Sequence, residues 1–261
     1  MALRMRERPM ILRRIALLAL AAALFAPEPA AAQYGTGPGG RAPYERRDQE
    51  RNVPGRFDYY ALVLSWSPTF CASLPRDRYE PQCHRRGGRP YAFVLHGLWP
   101  QHERGWPENC PTRQRPFVPQ PLIDSMLDIM PSSRLVIHEY RKHGTCSGLT
   151  PEGYYGLARR LYNSVTIPQR FVLPNNDFTV SPDAVVRAFV EANPTLRPDM
   201  LAVACGGPGN RLREVRICFN RDGGPTRCGR NEEQDRLCRA SNMHVPPARG
   251  MPAPSSSGRR I

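Results

Sequence analysis

His138-Glu139-Tyr140-Arg141-Lys142-His143-Gly144-Thr145-Cys146 sets two imidazoles, a carboxylate and an ammonium side by side. Lys142 is the only lysine of the chain, every other permanent side-chain cation being arginine. An ammonium is a compact point charge where a guanidinium is a flat fork, so this position calls for a small, strong cation at a set distance from an anion. Leu135 to about His143 can be helical, with Gly144 ending the helix as a C-terminal cap. At about 100° per residue, His138, Glu139, Lys142 and His143 fall within an arc of about 140°. One helix face therefore presents all four groups, while Tyr140 and Arg141 point elsewhere and read as structural. A zinc-protease helix needs its second histidine at i+4. Here it stands at i+5, and a lysine that would repel a cation holds i+4, so no metal is expected.

Working outward, Phe57 to Trp66 reads as a buried strand, aromatic and aliphatic throughout. Tyr91 to Leu98 reads as a second strand that delivers His96 near its end. Pro121 to Met130 has helical periodicity and is stopped by Pro131. Thr150-Pro151-Glu152 starts a helix that continues through Gly153 to Val165, and Ser181-Pro182-Asp183 starts another that runs to about Ala192. Met200 to Cys205 and Arg211 to Phe219 read as strands around a glycine-rich turn. Strands and helices do not alternate regularly, so the fold class is α+β.

A second chemical cluster, His96-Gly97-Leu98-Trp99-Pro100, lies on the second strand. Histidine suits proton transfer near neutral pH. Lysine stabilises negative charge that develops in a transition state. RNA carries its own nucleophile, the ribose 2′-hydroxyl, and its cleavage needs a base and an acid on opposite sides of phosphorus. His96 on a strand facing His143 on a helix meets that need. Gly97 lets the backbone approach a ligand closely. Trp99 reads equally as a core residue or as a platform on which a base stacks.

The strings Phe93-Val94-Leu95-His96-Gly97-Leu98-Trp99-Pro100-Gln101 and His138 to Cys146 resemble the two active-site segments of the ribonuclease T2 family. The likeness extends over about Phe57 to Cys238. It implies an antiparallel β-sheet flanked by helices and a secreted endoribonuclease acting on single-stranded RNA with no metal or other cofactor. It implies His96 as general acid for the 5′-oxygen and His143 as general base for the 2′-hydroxyl. Glu139 and Lys142 would stabilise the pentacovalent state, and His138 would bind the phosphate. The product would be a 2′,3′-cyclic phosphate, hydrolysed in turn to a 3′-phosphate. Some family members have an acidic, base-reading residue where this chain has Gln101, so a broad base preference is expected, with Trp99 and Gln101 as substrate contacts. A non-catalytic polyanion-binding protein on the same fold could lose a catalytic histidine, but this chain retains both.

The first 32 residues read as a secretory signal peptide: Arg4 to Arg14 form a basic start, Ile15 to Phe25 an apolar stretch too short to span a bilayer, and Ala30-Ala31-Ala32 a cleavage site. Residues 33–56 read as a flexible leader, 57–244 as the catalytic domain, and 245–261 as a disordered tail. A secreted or periplasmic monomer without membrane attachment follows. The net charge of +14 favours an anionic partner. Eight cysteines behind a signal peptide read as a disulfide framework. Spacing alone leaves the pairing open; the family resemblance implies Cys71–Cys83, Cys110–Cys146, Cys205–Cys238 and Cys218–Cys228. The remaining histidines have ordinary readings: His84 in an exposed loop, His102 facing solvent, His244 opening the tail. Arg85-Arg86 and Arg159-Arg160 read as solvated pairs.

Overall fold

The computed structural model describes residues 51–75, 77–84 and 90–248. The expected signal peptide, residues 33–50 of the leader, the Arg85-Arg86 pair and the end of the tail from 249 lie outside these. The sheet is built on β1 (Tyr59–Trp66), whose residues are buried at all but one position. On one side β1 pairs antiparallel with β2 (Phe93–Gln101). On the other it pairs antiparallel with a long strand, Arg211–Phe219, which in turn pairs with Leu201–Gly206. Two short strands, β3 (Phe178–Val180) and Met243–Val245, extend the sheet. In chain order the last three are β4 (Leu201–Gly206), β5 (Arg211–Phe219) and β6 (Met243–Val245). All pairings are antiparallel except a single parallel contact of Arg211 with His244.

The register sorts side chains into two faces, because successive residues of a strand alternate. Leu62 pairs with Leu98 and Ile217, and Leu64 with Leu95 and Val215. All six are completely buried and form the centre of the core. The opposite face of β1 carries Ala61, Val63 and Ser65, small side chains over which groups from β2 and β5 can meet. One irregularity decides the chemistry. Val63 pairs with Gly97 but Leu64 with Leu95, so His96 is the extra residue of a β-bulge. A bulge re-aims a side chain. Here it keeps Leu95 in the core while His96 turns to the small-residue face, from the middle of β2 rather than near its end.

Helices flank the sheet. They are α1 (Ser67–Ser73), α2 (Gln120–Met126), α3 (Ser133–Glu139), α4 (Pro151–Asn163), α5 (Pro182–Ala192) and the short α6 (Gln234–Leu237). The starts of α4 and α5 follow the capping logic: Thr150 accepts from the Gly153 amide and Ser181 from the Ala184 amide, each with proline in the first turn. The apolar face of α4 buries Tyr154, Tyr155, Leu157, Ala158 and Leu161, each large side chain contributing about 1.5–3 kcal/mol. The two tyrosines also tie the functional elements together. The Tyr154 hydroxyl donates to the Leu98 carbonyl at 2.8 Å, and the Tyr155 hydroxyl donates to the Val136 carbonyl. One helix thus holds β2 and α3 against each other.

Four expectations are corrected. The helix through His138 does not end at Gly144. It continues from α3 into a π-helical turn, Tyr140–Gly144, and a last α turn, Thr145–Ser147. Gly148 ends it, at φ +75°. Gly144 is glycine for a steric reason: a Cβ there would lie 2.4 Å from Cδ2 of Tyr140. The fold also does not stop at His244. Val245 is buried in β6, the Trp66 indole donates to the Pro246 carbonyl, and the Ala248 amide to that of Pro174. Nor is His84 exposed: it is buried and stacks on Tyr79. At the leader's end, the Gly55 amide donates to the Cys146 carbonyl, so the fold begins before Phe57.

All four expected disulfides are present. Cys110–Cys146 joins the end of the motif-bearing helix to the loop after β2, where the Asn109 amide also donates to the Lys142 carbonyl at 2.7 Å. Of the arginine pair, Arg159 is engaged with Asp128 at 2.6 Å. Among the described residues no helix is long and apolar enough to cross a membrane.

Candidate active site

One cavity of about 230 Å³ is lined by His96, Trp99, Gln101, His138, Glu139, Lys142 and His143, every residue singled out in the sequence, together with Trp106 and Arg216. β2 supplies the first three. The next four come from α3 and its π turn. In an α-helix, His138 and His143 would diverge, being five residues apart. The i→i+5 winding of the π turn brings such positions back towards one azimuth. The unusual spacing that argues against a zinc helix is therefore matched by unusual helix geometry.

His96 stands between two carboxylates. Its Nδ1 is 3.0 Å from Oε1 of Glu214, and its Nε2 is 3.7 Å from Oε1 of Glu139. Burial disfavours the imidazolium, but the Glu214 hydrogen bond and the Glu139 and Glu214 charges outweigh it, and the pKa is raised. Glu139 is itself buried, and its Oε2 accepts from the Trp99 indole at 2.7 Å. Burial pushes its pKa up, against the pull of His96, Trp99 and Lys142. Gly97 has its explanation here. A Cβ would lie 2.0 Å from the Glu139 carboxylate and 2.6 Å from the Trp99 indole nitrogen, so the glycine admits this hydrogen bond rather than a ligand.

His143 is buried, with no hydrogen-bond partner for Nδ1 among the described residues. Burial, then the neighbouring Lys142 charge and those of His96, His138 and Arg216, lower its pKa to about 2. Its ring stacks on Trp99 at 5.0 Å, while His96 meets the same indole edge-on at 5.1 Å. The Arg216 guanidinium lies 4.9 Å from that indole centre. Trp99 thus holds the two histidines apart and is neither plain core nor free platform. The exposed aromatic surface belongs to Trp106, 48 % accessible at the cavity rim. Gln101 lines the cavity, but its amide donates to the Pro100 carbonyl and accepts from Asn231. Lys142 lies 3.5 Å from Glu108. His138 is exposed at the surface, and partial desolvation together with the charges of Lys142 and His96 lowers its pKa.

Sequence reading missed Glu214, Arg216 and Trp106. Glu214 pairs with Ser65 and Arg216 with Val63, so both project across the small face of β1. Arg216 bridges Glu214 at 3.0 Å and Glu232 at 3.5 Å, and Glu232 accepts from the Tyr59 hydroxyl. This chain of charges anchors the carboxylate that orients His96, and Glu214 itself is held ionised. Burial works against its charge, but the hydrogen bond and charge of His96 and the Arg216 guanidinium bring its pKa down to about 2.

The family model described as the ribonuclease T2 family matches residues 57–228, which include both motifs and Glu214. The chain belongs to the ribonuclease T2 family. A ribonuclease of Aeromonas hydrophila is 38 % identical over 185 residues, covering 67 % of this chain and 77 % of that protein. Ribonuclease I of Escherichia coli is 28 % identical over 206 residues, covering 64 % and 77 %. Among solved structures, ribonuclease MC1 from bitter gourd seeds superposes with a TM-score of 0.54 at 25 % identity, covering 72 % of this chain and 99 % of that one. RNase NT, solved with 5′-AMP, has a TM-score of 0.56 at 24 % identity, with 74 % and 99 % covered, and supports the fold. This ribonuclease T2 family member is an endoribonuclease and its substrate is RNA.

Proposed function

We propose that this endoribonuclease cleaves single-stranded RNA by transphosphorylation to 2′,3′-cyclic phosphates and then hydrolyses these to 3′-phosphates. One observation carries the reading: two histidines on one cavity have environments that drive their pKa values apart. Groups separated in this way take the acid and base roles. His143, kept neutral, accepts the 2′-hydroxyl proton as that oxygen attacks phosphorus. His96, kept protonated, donates to the departing 5′-oxygen from Nε2 while Glu214 holds Nδ1. Lys142 and Glu139 stand beside the phosphorane, the ammonium offsetting its charge and the carboxyl steadying His96 and the Trp99 indole. His138 is placed to donate to a phosphate oxygen. In the second step water enters where the 5′-oxygen left, His96 takes its proton, and His143 returns one to the 2′-oxygen. Trp106 offers a face on which the base beside the cleaved bond can stack, worth about 1–3 kcal/mol. Gln101, with its amide engaged by Asn231, leaves base preference broad.

Residues 1–32 are proposed as a signal peptide, with the mature protein a soluble monomer in the periplasm or outside the cell. Four disulfides support an oxidising compartment. Incubation of the oxidised protein with a short single-stranded RNA in EDTA tests the chemistry. Fragments ending in 2′,3′-cyclic or 3′-phosphate, found by mass, are expected; activity lost in EDTA and restored by a divalent ion overturns the mechanism. An intact N-terminal mass on protein exported from its host would overturn the signal peptide.

A further inference from the structure

A second cavity, of about 400 Å³, meets the catalytic one at His96 and is lined by Ser65, Phe70, Arg211, Arg213 and Glu214 among others. It lies between α1 and the β4–β5 hairpin, and neither Lys142 nor His143 reaches it. It sets two guanidinium groups, Arg211 and Arg213, beside His96. Among the described residues no acidic side chain pairs with Arg211 or Arg213. The one carboxylate in the cavity, Glu214, is neutralised by His96 and Arg216.

The hairpin is shaped to aim these arginines. Ala204 pairs with Glu214 but Cys205 with Leu212, so Arg213 is the extra residue of a second β-bulge. Adjacent strand residues normally face opposite ways. The bulge lets Arg213 and Glu214 line the same cavity, as the bulge at His96 does on β2. Gly206, across the hairpin, makes room: a Cβ there would lie 3.2 Å from Cδ of Arg213. A bulge, a glycine and two unpaired guanidinium groups at one place make a seat for an anion beside the acid catalyst.

We infer that this cavity is a subsite for the RNA phosphate on the 3′ side of the nucleotide released at the scissile bond, with Arg211 and Arg213 as its ligands. The direction rests on the reading that His96 protonates the departing 5′-oxygen, because the chain leaving past His96 is the 3′ portion. Phosphate contacts position the strand without reading its sequence, so this subsite favours longer RNA whatever its bases.

The test compares kcat/KM at low salt for UpA, for UpAp with an added 3′-terminal phosphate, and for pUpA with an added 5′-terminal phosphate. Wild-type enzyme should prefer UpAp to UpA by about 3- to 10-fold, two partly exposed charge contacts each giving a modest gain. That ratio should fall towards one in the Arg211→Ala/Arg213→Ala variant and persist in Arg211→Lys/Arg213→Lys. Equal rates for UpA and UpAp in wild type, or a preference unchanged in the alanine variant, overturn the inference. A preference for pUpA that the alanine variant abolishes overturns it too, along with the direction assigned to His96. The products report separately on the reaction: a uridine fragment without a cyclic or 3′-phosphate end would overturn the proposed chemistry, whatever the ratio.

Discussion

Nδ1 of His96 lies 3.0 Å from Oε1 of Glu214, 118 residues further along the chain. The contact spans β1, and it exists because Ala61, Val63 and Ser65 leave the intervening strand low. It decides which imidazole nitrogen faces substrate. With Glu214 on Nδ1, the proton available for transfer is on Nε2.

Glu214→Gln should therefore reshape the pH profile. Loss of the His96 proton sets the alkaline limb of kcat/KM, and the Glu214 charge raises that pKa. Removing the charge moves the limb to lower pH, and loss of orientation lowers kcat by roughly 10- to 100-fold, a fraction of what a general acid supplies. On the acid side His143 stays neutral down to about 2, so activity should extend well below neutrality in the wild type. Measured pH–rate profiles decide the matter; an alkaline limb that stays in place would leave Glu214 a merely structural residue.

Lys142→Arg keeps the charge and loses the geometry. Nζ sits 3.5 Å from Glu108 beside the buried His143, and a planar fork there cannot occupy the point that an ammonium does. We expect kcat to fall by about 10-fold or more with a smaller change in KM, since the contact is made to charge that develops in the transition state. Steady-state kinetics on a dinucleotide would expose an error here as wild-type turnover.

Gly97→Ala tests the hydrogen bond from the Trp99 indole to Glu139. The added methyl would fall 2.0 Å from one partner and 2.6 Å from the other, so the pair must separate. Forced overpacking typically costs about 1–3 kcal/mol of stability. The larger effect should be on kcat, because Trp99 carries both His96 and His143. A folded variant with near wild-type kcat would show that the histidines do not depend on Trp99.

These relationships also show what a single sequence can convey. His96, His138, Glu139, Lys142 and His143 stand in two short runs, and their chemistry is visible because the groups are neighbours in the chain. Glu214 and Arg216 lie in Arg211–Phe219, which reads only as a strand; their role depends on register across β1 and on a bulge, neither of which leaves a local signal. Trp106 lies in an irregular loop with no periodicity to place it. Gly144 misleads because glycine ends many helices, whereas here it answers to the Tyr140 ring. Val245 ends a stretch of only three strand residues and precedes two prolines, so it looks like a tail; pairing with Phe178 buries it. In each case the deciding partner is far away in the sequence.

Cys110–Cys146 and Cys205–Cys238 close loops of similar span, 36 and 33 residues. By loop entropy each should stabilise the fold by about 3–4 kcal/mol. Their places differ. The first pins the end of the π-turn helix to the loop that carries Trp106 and Glu108, while the second ties β4 to the end of α6, and neither of its cysteines lines the catalytic cavity. Replacing either pair by serine should lower the Tm by comparable amounts. Only Cys110→Ser/Cys146→Ser should also lower kcat on a dinucleotide at temperatures where both variants are fully folded, because small displacements of catalytic groups are costly. Thermal melts and kinetics run on both double variants make the comparison. Equal losses of kcat would mean that the first bridge acts through global stability alone, and that α4 and its two tyrosines suffice to place His143.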